Sequence, residues 1–260
     1  MSAFIVAGSS LLEIGCPSTL NEDVDQLADF DTTIGGRRFG FIRKGGLRSW
    51  SISTGMATTG EASTLKAIAR RLGPYGWYGP DAAIGNLLSP RASGWAVPSS
   101  GETLAGLVQL PDGTLAESLA STALVRVGNA HGNFEMAPVR PGQLVTVSAW
   151  GFGGLRLQGY WRDGTGASIS SFLASPIHTF PGWEWREHTI TPPPGAAFVE
   201  LNLTNGTAYA LPSIAWGTKG RAETGAGCPK AVIHSPSFSP VALWEGTNYT
   251  DTSYSVVEVG

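Results

Sequence analysis

The sequence predicts a mainly β protein, and three observations carry that prediction. Gly and Pro make up one fifth of the 260 residues, with 35 Gly and 17 Pro, which is too many for a helical bundle. Only 14% of the residues are charged and 42% are hydrophobic, so the chain is too apolar to be disordered. Short runs that alternate apolar and polar side chains recur between turn signals, as in QLVTVSAW at 143–150.

Several classes of protein are disfavoured by the same composition. No apolar run approaches the roughly 20 residues that a membrane helix needs. The first arginine is Arg37, so we expect no secretory signal and predict synthesis in a cytoplasm. A net charge of −3 argues against a dedicated nucleic-acid binder. Two cysteines allow at most one disulfide, which excludes a disulfide scaffold.

Two neighbouring segments near the N-terminus carry opposite charge. Residues 21–31 hold only acidic charges and residues 37–48 only basic ones, namely Glu22, Asp23, Asp25, Asp29 and Asp31, then Arg37, Arg38, Arg43, Lys44 and Arg48. One interpretation is a solvated acidic loop beside a solvated basic hairpin, whose two strands meet at Gly45-Gly46. The other is that the segments pair between copies of the chain, because a head-to-tail ring needs two different complementary patches.

One helix is well marked. Thr58 and Glu61 have the spacing of a capping box. An apolar stripe at helical spacing follows, formed by Ala62, Leu65, Ile68, Ala69 and Leu72, and Gly73-Pro74 ends it. We expect this helix to serve packing. The aromatic residues that follow it, Tyr75, Trp77 and Tyr78, predict an ordered loop or an interface.

The chain divides into three stretches, 1–95, 96–216 and 217–260. The middle stretch has short alternating runs with turn signals between them, which predicts a β-sandwich or jelly roll. The last stretch holds at least two further strands, and the tripeptide GCP occurs in it at 227–229 and also at 15–17. We therefore predict a discontinuous domain, 1–95 with 217–260, into which the sandwich is inserted. The alternative is a sandwich that extends to the C-terminus.

Motifs of catalysis and of cofactor binding are missing from the sequence. The four histidines are scattered, and neither a G-x-S-x-G elbow nor a Walker A motif occurs, so we predict no metal, no cofactor and no catalytic residue. Glu184 and Glu187 stand three apart on a predicted strand and would face opposite ways, so they would not flank one glycosidic bond. A nucleophilic pair of Cys16 with a histidine stays open, although an incidental cysteine is commoner. We expect no enzyme activity.

The aromatic residues of the middle stretch are the candidate binding residues. Five of them could stack on sugar rings, namely Trp150, Tyr160, Trp161, Trp183 and Trp185. The alternative is that they pack in the core and along the strands. Because Trp183 and Trp185 are two apart on a predicted strand, both face the core or both face outward.

Four segments carry a resemblance to a known family. PVRPGQLVTVSAW (138–150), LRLQGYWRDGTGA (155–167), WEWREHTITPPPGAAFVELNL (183–203) and the strand that ends at Trp216 are together similar to the galactose-binding or carbohydrate-binding-module-like jelly roll of phage tail proteins. Residues 227–232 (GCPKAV) and 249–260 resemble the corresponding segments of minor tail proteins of long-tailed actinobacterial phages, in particular the distal tail protein.

The resemblance implies a structural role at the tip of a phage tail, in a virion assembled in the bacterial host cytoplasm. The expected fold is a tail-tube-like, β-rich ring domain with one helix, plus the sandwich. The expected partners are copies of the same chain in a hexameric ring, the tail tube protein, tail-tip or baseplate proteins and possible host glycans; DNA passes through the lumen without specific binding. Asp23, Asp25, Asp29, Asp31, Arg37, Arg38, Arg43 and Lys44 would then lie at the subunit interface or in the lumen. The alternatives are a soluble carbohydrate-binding protein and, third, a glycan-cleaving enzyme.

Overall fold

The structure is a computed structural model of the 260-residue chain. It describes residues 3–7, 10–15, 17–25, 28–32, 38–42, 47–70, 75–95, 102–128, 134–140, 142–173, 177–244 and 247–259. The mainly β class is confirmed, since the described residues form nineteen strands and three helices. Within these residues, none of the helices is long and apolar enough to cross a membrane.

The strands and helices are numbered in chain order. They are β1 (Ala3–Ala7), β2 (Ser10–Ile14), β3 (Thr19–Asp25), β4 (Ala28–Thr32), β5 (Arg38–Ile42), β6 (Leu47–Thr58), α1 (Thr59–Ala69), β7 (Tyr75–Tyr78), α2 (Pro80–Ile84), α3 (Pro90–Ser93), β8 (Thr103–Gln109), β9 (Leu115–Ala120), β10 (Val125–Arg126), β11 (Met136–Pro138), β12 (Val145–Phe152), β13 (Arg156–Arg162), β14 (Ser168–Leu173), β15 (Trp183–Ile190), β16 (Phe198–Thr204), β17 (Ala208–Trp216), β18 (Cys228–Trp244) and β19 (Thr247–Glu258).

The chain divides into two compact units, and both are discontinuous in sequence. The first unit comprises Met1–Ala3, Ile14–Tyr75 and Lys230–Gly260, and the second comprises Phe4–Glu13 and Gly76–Pro229. The boundaries that we predicted after residues 95 and 216 therefore fall inside the second unit. The physical reason is packing, because Leu87, Leu88 and Trp95 belong to the core of the second unit.

The first unit is built on antiparallel strands and the predicted helix. Strands β18, β19, β6 and β3 are adjacent in that order. Helix α1 packs against β6 and β19 and buries Ala62, Leu65 and Ile68. The predicted capping box is confirmed, since the Glu61 amide donates to the Thr58 hydroxyl and the Thr58 amide donates to the Glu61 carboxylate at 2.8 Å. The hydrophobic stripe thus fixes the buried face of the helix, and the cap fixes its start.

The acidic and basic segments form two pairs of strands within one chain. Acidic β3 pairs with β6, with Asp25 opposite Leu47 in register, and acidic β4 pairs with basic β5, with Thr32 opposite Arg38. The expected acidic loop is therefore wrong, because the described residues of that segment lie in two strands. The two strands predicted on either side of Gly45-Gly46 are present as β5 and β6, and the two glycines lie outside the described residues. The expected pairing of these strands as a hairpin is wrong, because β5 and β6 take different partners among the described strands. The alternating pattern of the segment identified strands but not their partners.

The second unit contains a β-sandwich, as the sequence predicts. One five-stranded sheet, which we call the polar sheet, has the order β10-β16-β13-β14, and β11 also pairs with β16. The other, which we call the tryptophan sheet, has the order β15-β12-β17-β9-β8. Both sheets contribute to one hydrophobic core: Leu157 and Leu201 come from the polar sheet, and Val147 and Ile214 from the tryptophan sheet. The alternation of apolar residues in the sequence is thus the inward face of each sheet.

The aromatic residues after α1 belong to a strand. Trp77 and Tyr78 in β7 pair with Ile5 and Phe4 of β1, and both are buried, as is Tyr75. The expected loop or interface is therefore wrong for these residues. Burial, together with the nearby charges of Glu135 and Cys228, raises the pKa of Tyr78 well above its usual value.

A buried asparagine ties three segments of the second unit together. The Asn86 side-chain amide donates to the carbonyl oxygens of Pro212 and Glu223, both at 3.0 Å. Its side-chain oxygen accepts from the amides of Leu88 at 3.1 Å and Ile214 at 3.2 Å. All four bonds satisfy main-chain groups, so Asn86 acts as a structural bridge rather than as a binding residue.

Two glycines let the segment before β18 run directly against this bridge. A Cβ atom at Gly225 would lie 1.9 Å from the Leu88 carbonyl oxygen, and one at Gly227 would lie 1.9 Å from the Leu87 carbonyl oxygen. The Gly225 amide also donates to the Ser93 hydroxyl at 2.7 Å. Only glycine permits this approach of two main chains.

Candidate ligand-binding face

The five predicted sugar-stacking residues lie in three places of the second unit. Trp150, Trp183 and Trp185 share the outer face of the tryptophan sheet. Trp161 is 4% exposed and belongs to the core between the sheets, so its ring has no face open for a sugar. Tyr160, its neighbour on β13, points outward from the polar sheet and is 41% exposed.

The three tryptophans form a second, smaller core. The rings of Trp150 and Trp185 lie 5.8 Å apart between centroids, and those of Phe152 and Trp183 lie 5.5 Å apart. Trp150 is buried in a cluster with Leu110, Ala116, Ala210 and Leu211, and Trp183 and Trp185 are half-buried against it. The member most open to solvent is Phe152, at 39%. These rings pack against residues of the β8–β9 hairpin, whose two strands belong to the same sheet.

Glu184 and Glu187 face opposite sides of β15, as their spacing predicts. Glu187 stands opposite Ser148 on the outer face, where it accepts a hydrogen bond from the Gly220 amide at 3.0 Å. Glu184 stands opposite Gly151 on the other face and forms an ion pair with Arg186. The two carboxylates therefore do not flank a common site.

The outer face of the polar sheet carries a grid of polar side chains around Tyr160. Residues directly opposite in antiparallel strands present their side chains to the same side. The register places Arg126, Asn202 and Gln158 in one row and Glu200 and Tyr160 in the next. Two further outward residues of β13, Arg156 and Arg162, stand at either end of the grid. We call these seven residues the Tyr160 face.

Charge on the Tyr160 face is unbalanced. Arg162 pairs with Glu200, with its Nη2 at 2.7 Å and its Nε at 2.9 Å from the same carboxylate oxygen. The Arg162 guanidinium also lies 5.6 Å from the centroid of the Tyr160 ring. This pair neutralises one arginine, so Arg126 and Arg156 leave the seven residues with two positive charges in excess. The chain as a whole has a net charge of −3, so the net charge of this face is opposite in sign to that of the chain.

Two polar atoms of the Tyr160 face have unused hydrogen-bonding capacity. Asn202 is 1% exposed, and its side-chain oxygen accepts no hydrogen bond from any residue in the described part of the chain. The buried Nε of Arg156 likewise donates none there. A buried polar group without a partner costs about 1–3 kcal/mol, so folding alone does not favour this arrangement. Ordered water can complete such hydrogen bonds, as it can for Ser148 and Trp150 on the tryptophan sheet, whose buried polar atoms also lack a partner in the described residues.

The sequence contains the signal for this face, although the candidate residues drawn from it include only Tyr160. Positions 156, 158, 160 and 162 alternate with the buried Leu157 and Trp161. Glu200 and Asn202 alternate in the same way with Val199, Leu201 and Leu203. Alternation shows which residues face outward but not that β13 and β16 are neighbours. The grid depends on that pairing.

The charged segments near the N-terminus are described only in part. Asp23 is exposed on β3. The backbone of Asp25, Asp29, Asp31 and Arg38 lies in strands, while Arg37, Arg43 and Lys44 lie outside the described residues. Arg48 is buried and pairs with Glu258 of β19 at 3.0 Å, so one of its partners belongs to the C-terminal strand.

Comparison with known proteins adds distant structural similarities. No family model and no curated protein matches the chain. A crystal structure of the enzymatically active domain of tailspike protein 4 of bacteriophage CBA120 matches with a TM-score of 0.36 and 15% identity, covering 51% of this chain and 21% of that one. The T13 IBDV viral particle matches with a TM-score of 0.27 and 11% identity, covering 99% of this chain and 62% of that one. This chain thus spans only part of the length of either protein.

Proposed function

We propose that this chain is a structural protein of a phage virion, a distal tail protein that forms a ring between the tail tube and the tail tip. In this proposal the ring is hexameric and is made by the first unit, DNA passes through its lumen, and the sandwich of the second unit docks tail-tip proteins or contacts host glycans. The virion tail tip is the proposed location, after assembly in the bacterial cytoplasm.

The observation that carries the proposal is that the first unit is formed by both the N-terminal and the C-terminal parts of the chain. Its sheet brings β18 and β19 from the C-terminal part of the chain against β6 and β3 from the N-terminal part. The segments that resemble distal tail proteins, 227–232 and 249–260, lie in or next to β18 and β19. A ring domain closed by both parts of the chain, with a sandwich between them in sequence, is what the resemblance implies.

The β4–β5 pair supports a contact between copies. Among the described strands, β4 and β5 pair only with each other, so each keeps an unpaired edge. Acidic residues lie on β4, and the basic segment includes β5. A ring is built from heterologous contacts, in which one patch of a subunit meets a different patch of the next. Opposite charges on two edges provide such a pair of patches, in addition to their pairing within the chain.

The experiment is imaging of the full-length protein by negative stain, with its mass measured by light scattering. The proposal expects rings with a central hole and the mass of a hexamer. The double variant R37E/R38E is expected to weaken ring formation at low salt, because it reverses charge on the basic segment. A matched control is R91E in the second unit, which should leave rings intact. A monomer at every concentration would contradict a self-assembling ring.

A second candidate function is that of a soluble carbohydrate-binding protein. The observation that favours it is the Tyr160 face, whose polar grid does not depend on any ring. Saccharide binding by a chain that stays monomeric would support this candidate over the first.

A further inference from the structure

We infer that the Tyr160 face binds a saccharide that carries a negatively charged group. The inference deepens the glycan contact in the proposed function and rests on it, but it names a face and a ligand class. It places the ligand on the polar sheet, and not on the tryptophans of the opposite sheet.

The first step concerns the shape and chemistry of the face. Tyr160 presents an exposed ring, on which the C–H face of a sugar can pack, between side chains that donate and accept hydrogen bonds. Gln158 lies two residues before it on the same strand and stands opposite Asn202 of the adjacent strand, about 5 Å away. Amide side chains supply both donors and acceptors, which suits hydroxyl groups.

The second step concerns charge. Arg162 and Glu200 satisfy each other, with Arg162 held between the rings of Phe134, at 4.8 Å, and Tyr160. Arg126 and Arg156 face no acidic side chain of the grid. A guanidinium presents a fixed fork of donors that matches a carboxylate or a phosphate group. An anionic substituent would therefore be recognised at the end of the face where Arg126 and Arg156 stand.

The third step concerns the buried atoms. The side-chain oxygen of Asn202 and the Nε of Arg156 have no partner in the described residues, although both are buried. Both atoms lie on the same face, and because they are almost inaccessible to solvent, a ligand above the face would reach them through an ordered water.

Single-stranded nucleic acid fits the face less well than a saccharide. Stacking of successive bases requires a series of aromatic rings, and Tyr160 is the only exposed ring among the described residues of this face. Two excess charges are few for a polyanion, and the chain has a net charge of −3. Binding of nucleic acid is therefore kept as an outcome of the test.

The experiment is binding of the full-length protein to an array of acidic saccharides, bearing uronate, sialic acid or phosphate, printed beside their neutral counterparts and a single-stranded DNA. Binding to acidic members is expected to exceed binding to the matched neutral ones by about tenfold and to weaken with salt. Y160A and R126A should each weaken it by about tenfold. The anionic group that binds best, whether uronate, sialic acid or phosphate, identifies the kind of acidic saccharide that the face recognises.

Two matched controls separate the face from general effects. F152A removes an equally exposed ring from the tryptophan sheet, and R91A removes an exposed arginine from α3. Both should bind as the unaltered protein does. The inference is overturned if nothing on the array binds, if neutral saccharides bind equally well, if DNA binds best, or if F152A is the damaging change. None of these outcomes bears on ring formation. A negative result on the array would therefore leave the ring experiment as a separate test of the tail-tip role.

Discussion

The substitution N86A should strongly destabilise the second unit. It removes four hydrogen bonds to main-chain groups, so two buried amides, one buried carbonyl and one part-buried carbonyl lose this partner. A net loss of about 1 kcal/mol for each bond gives about 4 kcal/mol. Entry of a water into the space would lower this figure, and the desolvation of the orphaned groups would raise it. We therefore expect a loss of about 3–5 kcal/mol, a large part of a typical domain stability.

The assay is urea unfolding followed by tryptophan fluorescence. Of the nine tryptophans, all but Trp50 and Trp244 lie in the second unit, so the signal reports mainly on that unit. Hydrogen exchange adds a local readout, since the amides of Leu88 and Ile214 should lose protection before the rest of the sandwich does.

A matched substitution tests the reasoning. N21A changes the same residue type at an exposed position of β3 and should alter stability by less than about 0.5 kcal/mol. If N86A lost less than about 1 kcal/mol, or if the two amides stayed protected, the bridge would contribute little. The packing of the adjoining segments would then hold them without it.

Three further predictions concern single positions. G227A should cost at least about 3 kcal/mol in a thermal or urea melt, because its methyl group would lie 1.9 Å from a carbonyl oxygen. R48A should cost about 2–3 kcal/mol, measured in the same way, because it leaves the Glu258 carboxylate half-buried without its 3.0 Å partner. D163A should lower the melting temperature at neutral pH. A side-chain hydrogen bond and backbone amides of its turn hold the pKa of Asp163 below 3.8 when folded, so this deficit should shrink as pH falls through that lowered pKa.

Controls for these predictions lie close by. G182A should be nearly neutral, since nothing lies within 4 Å of the added atom. R70A removes an exposed arginine at the end of α1 and should cost less than about 0.5 kcal/mol. An equal loss in R48A and R70A would show that the Glu258 pair does not stabilise the fold. A D163A deficit that stayed constant as the pH fell well below 3.8, the usual pKa of an aspartate, would show that the carboxylate charge does not matter to the turn.

The sequence was most informative where one local signal decides the structure. The capping box at Thr58 and Glu61 sets the start of α1, and the apolar spacing sets its buried face, both independently of the rest of the chain. The alternation in 143–150 likewise marks β12 and its inward residues. These features depend on neighbours in sequence, which a single sequence displays.

Strand partners and aromatic burial were predicted less well. The pairing of β5 with β4 rather than with β6 depends on registers that alternation does not encode. Tyr160 and Trp161 are equally aromatic and adjacent, yet one is exposed and the other is core. Only the side of the sheet distinguishes them. To predict the Tyr160 face, one must know both which residues of β13 face outward and that β13 pairs with β16.

The close approach of residues 223–227 to residues 86–89 has a consequence for how the sandwich could be exchanged between genes. A recombination that transferred only 96–216 would leave behind Asn86 and the glycines that fit against it. In the recipient protein, the Pro212 carbonyl and the Ile214 amide would then lack the hydrogen bonds that the Asn86 side chain supplies. The segment that must be inherited together is therefore longer than the sandwich: it spans at least 76–229, and Phe4–Glu13 belongs to the same unit.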